Sequence, residues 1–152
     1  MSKDQAFAIV LLPVVLVFIA LIYIVVMPLQ GRPFFYTSER MRGPGQAFPL
    51  YKIRTMTPEC DEPEDVLAGC VQHRVTKIGA FLRKTKLDEL PQIFNVLRGD
   101  IGFIGPRPPL RKYVEAYPAL YDEVFAAARP GITGLATVVM AEQEYQLLKR
   151  CQ

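Results

Sequence analysis

Thr85-Lys86-Leu87-Asp88-Glu89-Leu90-Pro91-Gln92 sets two adjacent carboxylates at the head of a helical pattern. Leu87, Leu90, Ile93, Phe94 and Leu97 recur at helical spacing, and Gly99 closes the run. Pro91 would break a helix interior but is accepted in a first turn, where its missing N–H has no partner to lose. The pattern therefore predicts a helix that starts near Asp88. There the two carboxylates lie in the positive field of the helix N-terminus, which keeps them ionised and favours phosphate or a metal-bound anion beside them. An ionised Asp can be a nucleophile while its neighbour holds a hard cation. An isolated acidic pair more often just complements the helix dipole, so the residues around it decide.

Upstream, residues 76–86 place Ile78, Phe81 and Leu82 on one side and Lys77, Arg83, Lys84 and Lys86 elsewhere, an amphipathic basic helix that suits a membrane surface or a core. Arg83, five residues before Asp88, is placed to hold a phosphate or to be solvated. Further upstream, residues 34–37 and 48–55 read as two strands joined by the Arg42-Gly43-Pro44-Gly45-Gln46 turn, a β-hairpin. Period two puts Lys52 and Arg54 on one face, able to bind phosphate or to face solvent, and Tyr51 and Ile53 on the other. Residues 57–65 are acidic and proline-bearing, an exposed loop with a short helix after Pro63 as an option.

Downstream, Ile101-Gly102-Phe103-Ile104 is a short apolar strand running into Gly105-Pro106-Arg107-Pro108. Flanking prolines fix the backbone, so that a rigidly presented Arg107 suits bidentate phosphate binding. Residues 110–128 read as one or two helices broken near Pro118, and Pro130-Gly131-Ile132-Thr133-Gly134 as a loop able to approach a ligand with its backbone. Residues 135–140 are apolar, and the last dozen read as a short polar helix.

Residues 6–28 carry no charge, long enough to cross a hydrocarbon core, and Pro13 interrupts them. A straight span and a helix that bends at Pro13 to leave by the side it entered both fit. Arg32, Arg40 and Arg42 follow the run and put the remaining domain on the cytoplasmic side. The 152 residues thus divide into an N-terminal membrane helix, 1–30, and one domain, 31–152. A net charge of +3 is too mild for nucleic acid and suits a phospholipid surface or phosphorylated substrates. Cys60, Cys70 and Cys151 have no metal-like spacing and form no disulfide framework, and His73 reads as a surface residue.

Four stretches carry a resemblance: Tyr51-Lys52-Ile53-Arg54-Thr55-Met56; Leu87-Asp88-Glu89-Leu90-Pro91-Gln92 continued by Asn95-Val96-Leu97-Arg98-Gly99-Asp100; Gly105-Pro106-Arg107-Pro108; and Pro130-Gly131-Ile132-Thr133-Gly134. In order and spacing the chain resembles the monotopic phosphoglycosyl transferases, the bacterial sugar transferase family, over roughly residues 31–136. The resemblance implies an α+β fold, a small, mostly helical cytoplasmic-face domain with a β-hairpin, anchored in the bacterial inner membrane by a re-entrant helix broken at a proline, here Pro13. It also implies transfer of a sugar-1-phosphate from a nucleotide sugar, usually a UDP-sugar, to polyprenol phosphate, with release of UMP. By motif position the nucleophile is Asp88, and Glu89 holds Mg²⁺. Arg83 and Arg107 bind phosphate, and the hairpin contributes Lys52 or Arg54.

Two departures stand out. Leu135-Ala136-Thr137-Val138 replaces the family's usual Trp-Ala-Gln-Val, and the chain stops at Gln152, earlier than is typical of the family. They leave room for an alternative, a degenerate homologue that binds lipid phosphate or a partner without turnover, and for a phosphohydrolase in which water discharges the intermediate. Membrane lipid is an expected partner, nucleic acid is not, and a homo-oligomer is compatible with the sequence.

Overall fold

The computed structural model describes residues 2–57 and 75–134. The expected hairpin forms, but its strands reach further toward the turn than 34–37 and 48–55: β1 (Phe35–Gly43) is antiparallel to β2 (Gln46–Ile53), with Phe35 opposite Ile53. Gly45, at φ +65°, supplies the left-handed residue of the turn. Met41, Phe48, Leu50 and Ile53 point inward.

Helix α1 (Lys3–Gln30) starts with a capping box, in which Ser2 Oγ accepts from Gln5 N–H and Gln5 Oε1 accepts from Ser2 N–H at 2.8 Å. It runs on without a break through Pro13 and Pro28, so the break expected at Pro13 is not seen. Pro13 forfeits only the bond to the Ile9 carbonyl, and packing on both sides holds the helix in line. Ala8, Ile19 and Val26 are buried, and Leu11, Leu12, Val15, Ile22 and Met27 pack beside them, a stripe at three- and four-residue steps. Ala8 meets Phe48, Leu50, Ile93, Val96 and Ile101, while Ile19 and Val26 meet Phe34, Ile53 and Leu82. The two ends of α1 therefore rest on the same domain. Its other side, including Phe7, Val10, Val17, Leu21, Ile24 and Leu29, is apolar and exposed.

Helix α2 (Lys77–Thr85) is capped by Thr76, whose Oγ1 accepts from Gly79 N–H at 2.9 Å. Ile78 and Leu82 pack inward, but Phe81, expected beside them, is exposed. The chain then turns at Lys86, a non-glycine residue at φ +58°. The predicted helix opens as a 3-10 turn, Leu87–Gln92, and becomes α-helical only in α3 (Ile93–Arg98). Pro91 is the reason, because without an N–H it cannot donate to the carbonyl four residues back. Gly99, at φ +82°, ends α3 as expected.

Strand β3 (Gly102–Ile104) pairs in parallel with β4 (Gly131–Thr133), and α4 (Arg111–Ala116) and α5 (Pro118–Ala127) lie between them in sequence. The Pro130–Gly134 loop thus includes a strand, and its backbone approaches the Gly105-Pro-Arg-Pro loop. Gly105 N–H donates to Thr133 O at 2.9 Å and Gly131 N–H to Pro106 O at 3.0 Å. A Cβ on Gly105 would lie 2.1 Å from the Arg129 carbonyl, and one on Gly131 2.3 Å from Gly105 N. The acidic loop over 57–65, His73, the three cysteines, residues 135–140 and the terminal helix lie wholly or mostly outside the described residues.

Candidate active site

The site forms where the 3-10 turn crosses the end of β2. Val96 and Ile101 close the core beneath it with Phe48 and Leu50. Asn95 fastens the turn to the strand: its Oδ1 accepts from Tyr51 N–H at 3.1 Å, and its Nδ2 donates to Pro49 O at 2.7 Å and to Asp100 Oδ2 at 3.1 Å. An amide side chain thus supplies the pairing that a third strand would give β2.

With the turn so held, Asp88 is buried (6 % exposed) and Glu89 faces cations. Lys52 Nζ lies 3.5 Å from Glu89 Oε1, and an Arg107 terminal nitrogen donates to the same oxygen at 3.2 Å. Arg107 comes from the loop braced by Gly105 and Gly131. Arg83, on the last turn of α2, adds a positive charge felt by Asp88. The fold therefore gathers Lys52, Arg83 and Arg107 around the two carboxylates.

Arg54 goes elsewhere. Strand β2 ends at Ile53, so the period-two face does not extend to Arg54. Its guanidinium is buried and donates to the carbonyls of Gln30 and Gly31 at 2.5 and 2.8 Å, a cation on the C-terminal end of α1.

Electrostatics correct one expectation. At Asp88 burial opposes the field expected of a helix terminus. Burial pushes its carboxyl above the ordinary aspartate range, and the neighbouring Glu89 adds to this, while Lys52, Arg83 and a backbone hydrogen bond oppose it. Its Oδ1 is buried without a hydrogen-bond partner among the described residues. Burial likewise pulls Lys52 below the ordinary lysine range, and Arg107 pulls the same way, against Glu89 and Asp88. Among the described residues no three His, Cys, Asp or Glu side chains cluster as a metal cage. Sequence reasoning missed Thr55, whose Oγ1 accepts from Arg83 Nε at 2.8 Å, and the only sign of it was its place in the Lys52–Met56 stretch.

The family model described as bacterial sugar transferase matches residues 1–152. Relatives include the UDP-glucose:undecaprenyl-phosphate glucose-1-phosphate transferase of Caulobacter vibrioides, 45 % identical over 62 % of this chain and 36 % of its own length. The undecaprenyl-phosphate galactose phosphotransferase of Salmonella typhimurium is 38 % identical over 70 % of this chain and 25 % of its own. The UDP-N-acetylgalactosamine-undecaprenyl-phosphate N-acetylgalactosaminephosphotransferase of Aeromonas hydrophila is 37 % identical over 70 % of this chain and 26 % of its own. The chain spans between 23 % and 64 % of the length of such curated relatives. A match over the whole chain, with the motif residues Lys52, Asp88, Glu89 and Arg107 brought together in one place, makes it a member of the bacterial sugar transferase family.

Proposed function

We propose that this chain is a phosphoglycosyl transferase domain that moves a sugar-1-phosphate from a UDP-sugar to undecaprenyl phosphate, the first membrane step in a bacterial surface glycan. The observation that carries this reading is the buried Asp88 beside a half-buried Glu89, with Lys52, Arg83 and Arg107 around them. Three cations around two carboxylates leave positive charge for a diphosphate and let a carboxylate approach phosphorus.

In the first step an Asp88 oxygen attacks the sugar-bearing phosphorus. A P–O bond forms, the bridging P–O bond breaks, and UMP leaves with the electron pair. In the second step a phosphate oxygen of the lipid attacks the same phosphorus and Asp88 departs as carboxylate. The phosphosugar waits on Asp88 between the two steps, so the soluble donor and the lipid acceptor need not share the site. Arg83 and Arg107 hold phosphate oxygens, and Lys52 offsets the charge of the carboxylate pair.

The donor chemistry also fits Mg²⁺. The orphaned Asp88 Oδ1 and the Glu89 carboxylate are hard oxygen ligands, and Mg²⁺ commonly uses one or two carboxylates completed by substrate phosphates. Glu89 would hold it, and when bound it would neutralise developing charge on the diphosphate.

For the anchor we infer a monotopic placement on the cytoplasmic face of the inner membrane, with the unbroken α1 lying along its domain rather than crossing. A helix that spans must leave its domain, whereas α1 rests on it at Ala8 and again at Val26 and turns a wholly apolar side outward.

The test is UMP release by detergent-purified protein with undecaprenyl phosphate, Mg²⁺ and a panel of UDP-sugars. Release with one donor, abolished in Asp88→Asn, is expected. No release with any donor from folded protein would overturn the reading in favour of a non-catalytic homologue, and free sugar phosphate formed without lipid would favour a hydrolase.

A further inference from the structure

Lys52, Arg54 and Thr55, within four residues, serve three different places. Lys52 reaches Glu89, Arg54 closes the carbonyl end of α1, and Thr55 accepts from Arg83 Nε. Arg54 and Thr55 are only 7 % and 5 % exposed. A long arginine side chain has many rotamers. A bond at Nε fixes the plane of the guanidinium while leaving its terminal NH₂ groups for an anion.

Thr55 is itself held. Its carbonyl accepts from Thr76 N–H at 3.1 Å and from the Thr76 hydroxyl at 3.4 Å. The Thr76 hydroxyl accepts in turn from the Gln30 side-chain amide at the end of α1. Helix α2, which carries Arg83, lies directly on this carbonyl, since a Cβ on Gly79 would sit 2.0 Å from Thr55 O. A continuous polar chain, Gln30–Thr76–Thr55–Arg83, therefore runs from the last turn of the apolar helix to the flank of Asp88.

We propose that Thr55 is a positioning residue that aims the Arg83 guanidinium at the phosphoryl group handled at Asp88, and that the Gln30–Thr76 link makes this aim depend on how the C-terminal end of α1 is seated. The proposal rests on the phosphoryl-transfer reading of the site and assigns a role to the strand end that the motif residues alone do not give.

The test compares Thr55→Val, which keeps the buried shape without the acceptor, with Thr55→Ser, which keeps the acceptor. Two readouts are used: kcat/KM for the UDP-sugar found active, and the affinity of the full chain for inorganic pyrophosphate by calorimetry. Thr55→Val is expected to lose about tenfold in both, the size of one hydrogen bond to a charged group, and Thr55→Ser to stay within about twofold of wild type. In an Arg83→Ala background Thr55→Val should add less than about twofold. Gln30→Leu should weaken pyrophosphate about threefold, less than Thr55→Val, because it acts through two further bonds.

Equal behaviour of Thr55→Val and Thr55→Ser, or full additivity with Arg83→Ala, would overturn the role of Thr55. Unchanged pyrophosphate affinity in Gln30→Leu would remove α1 from the proposal. If wild type released no UMP with any donor, the transferase reading would fail while the pyrophosphate series still judged Thr55. An active wild type with an unaffected Thr55→Val would sink only the positioning role.

Discussion

Asn95 and Asp88 stand seven residues apart on consecutive turns, both buried and both polar, and they are treated in opposite ways. Asn95 is 0 % exposed, and its amide is engaged at both ends by Tyr51, Pro49 and Asp100. Asp88 is 6 % exposed, with one oxygen lacking a partner among the described residues. A satisfied buried amide specifies a fold, whereas a half-satisfied buried carboxylate weakens it and is kept where chemistry needs it.

The contrast can be broken most forcefully at Asp88. Asp88→Asn should abolish transfer, by at least about a thousandfold if the side chain is the nucleophile, and yet raise stability in metal-free buffer by about 1 kcal/mol, because a neutral amide tolerates burial better. Denaturant titration alongside UMP assay checks both halves. Asn95→Leu should do the reverse to the fold. It leaves Pro49 O and Tyr51 N–H unpaired inside and should cost about 3 kcal/mol by the same titration. If both substitutions destabilise alike, the distinction fails.

Titration sharpens it further. Asp88 has its carboxyl pushed up by burial, so the folded state binds this proton more tightly than the unfolded chain. The contribution is fully present below the unfolded aspartate value, about 3.9, and is lost as pH rises through the higher folded value. The stability advantage of Asp88→Asn over wild type should therefore be absent below about pH 4 and open as pH rises. Lys52→Met, which removes a charge that lowers the Asp88 midpoint, should move that midpoint further up, read by carboxyl ¹³C NMR of the metal-free protein. The smallest effect belongs to a pair outside both centres. Glu39 and Arg111 meet at 2.7 Å on the surface, and Arg111→Ala should leave the thermal midpoint unchanged within error.

What could be read in advance follows the same division. The hairpin, the basic helix α2, the Gly99 stop and the break before Pro118 came from periodicity and turn chemistry, which are local. So did the acidic turn, though the terminus argument counted the field at Asp88 and omitted burial, which pushes the other way. Arg54 was assigned to the wrong face because nothing local shows where β2 stops. Phe81 was placed on one side with Ile78 and Leu82, yet it is exposed while they pack inward, because helical spacing gives a side and not its width. Strand β3 was read as a short apolar strand, but β4 and its pairing escaped since a three-residue strand carries no period, although the glycines that permit the pairing were visible. The contact stripe of α1 was hidden for a different reason. A segment that is apolar on every side has no pattern to show which side faces protein.

That stripe has a consequence for biosynthesis. Gln5 donates to the carbonyl of Leu97, 92 residues further on, and Ala8 completes a core whose other members come from residues 48–101. Helix α1 is translated long before the surface it will cover exists. On the membrane placement proposed above, lipid shelters both of its sides until then, and docking exchanges acyl chains for Phe48, Ile93 and Val96 along one of them. The bilayer would thus act as a holding partner in folding, and the assembly order would run opposite to the order of synthesis.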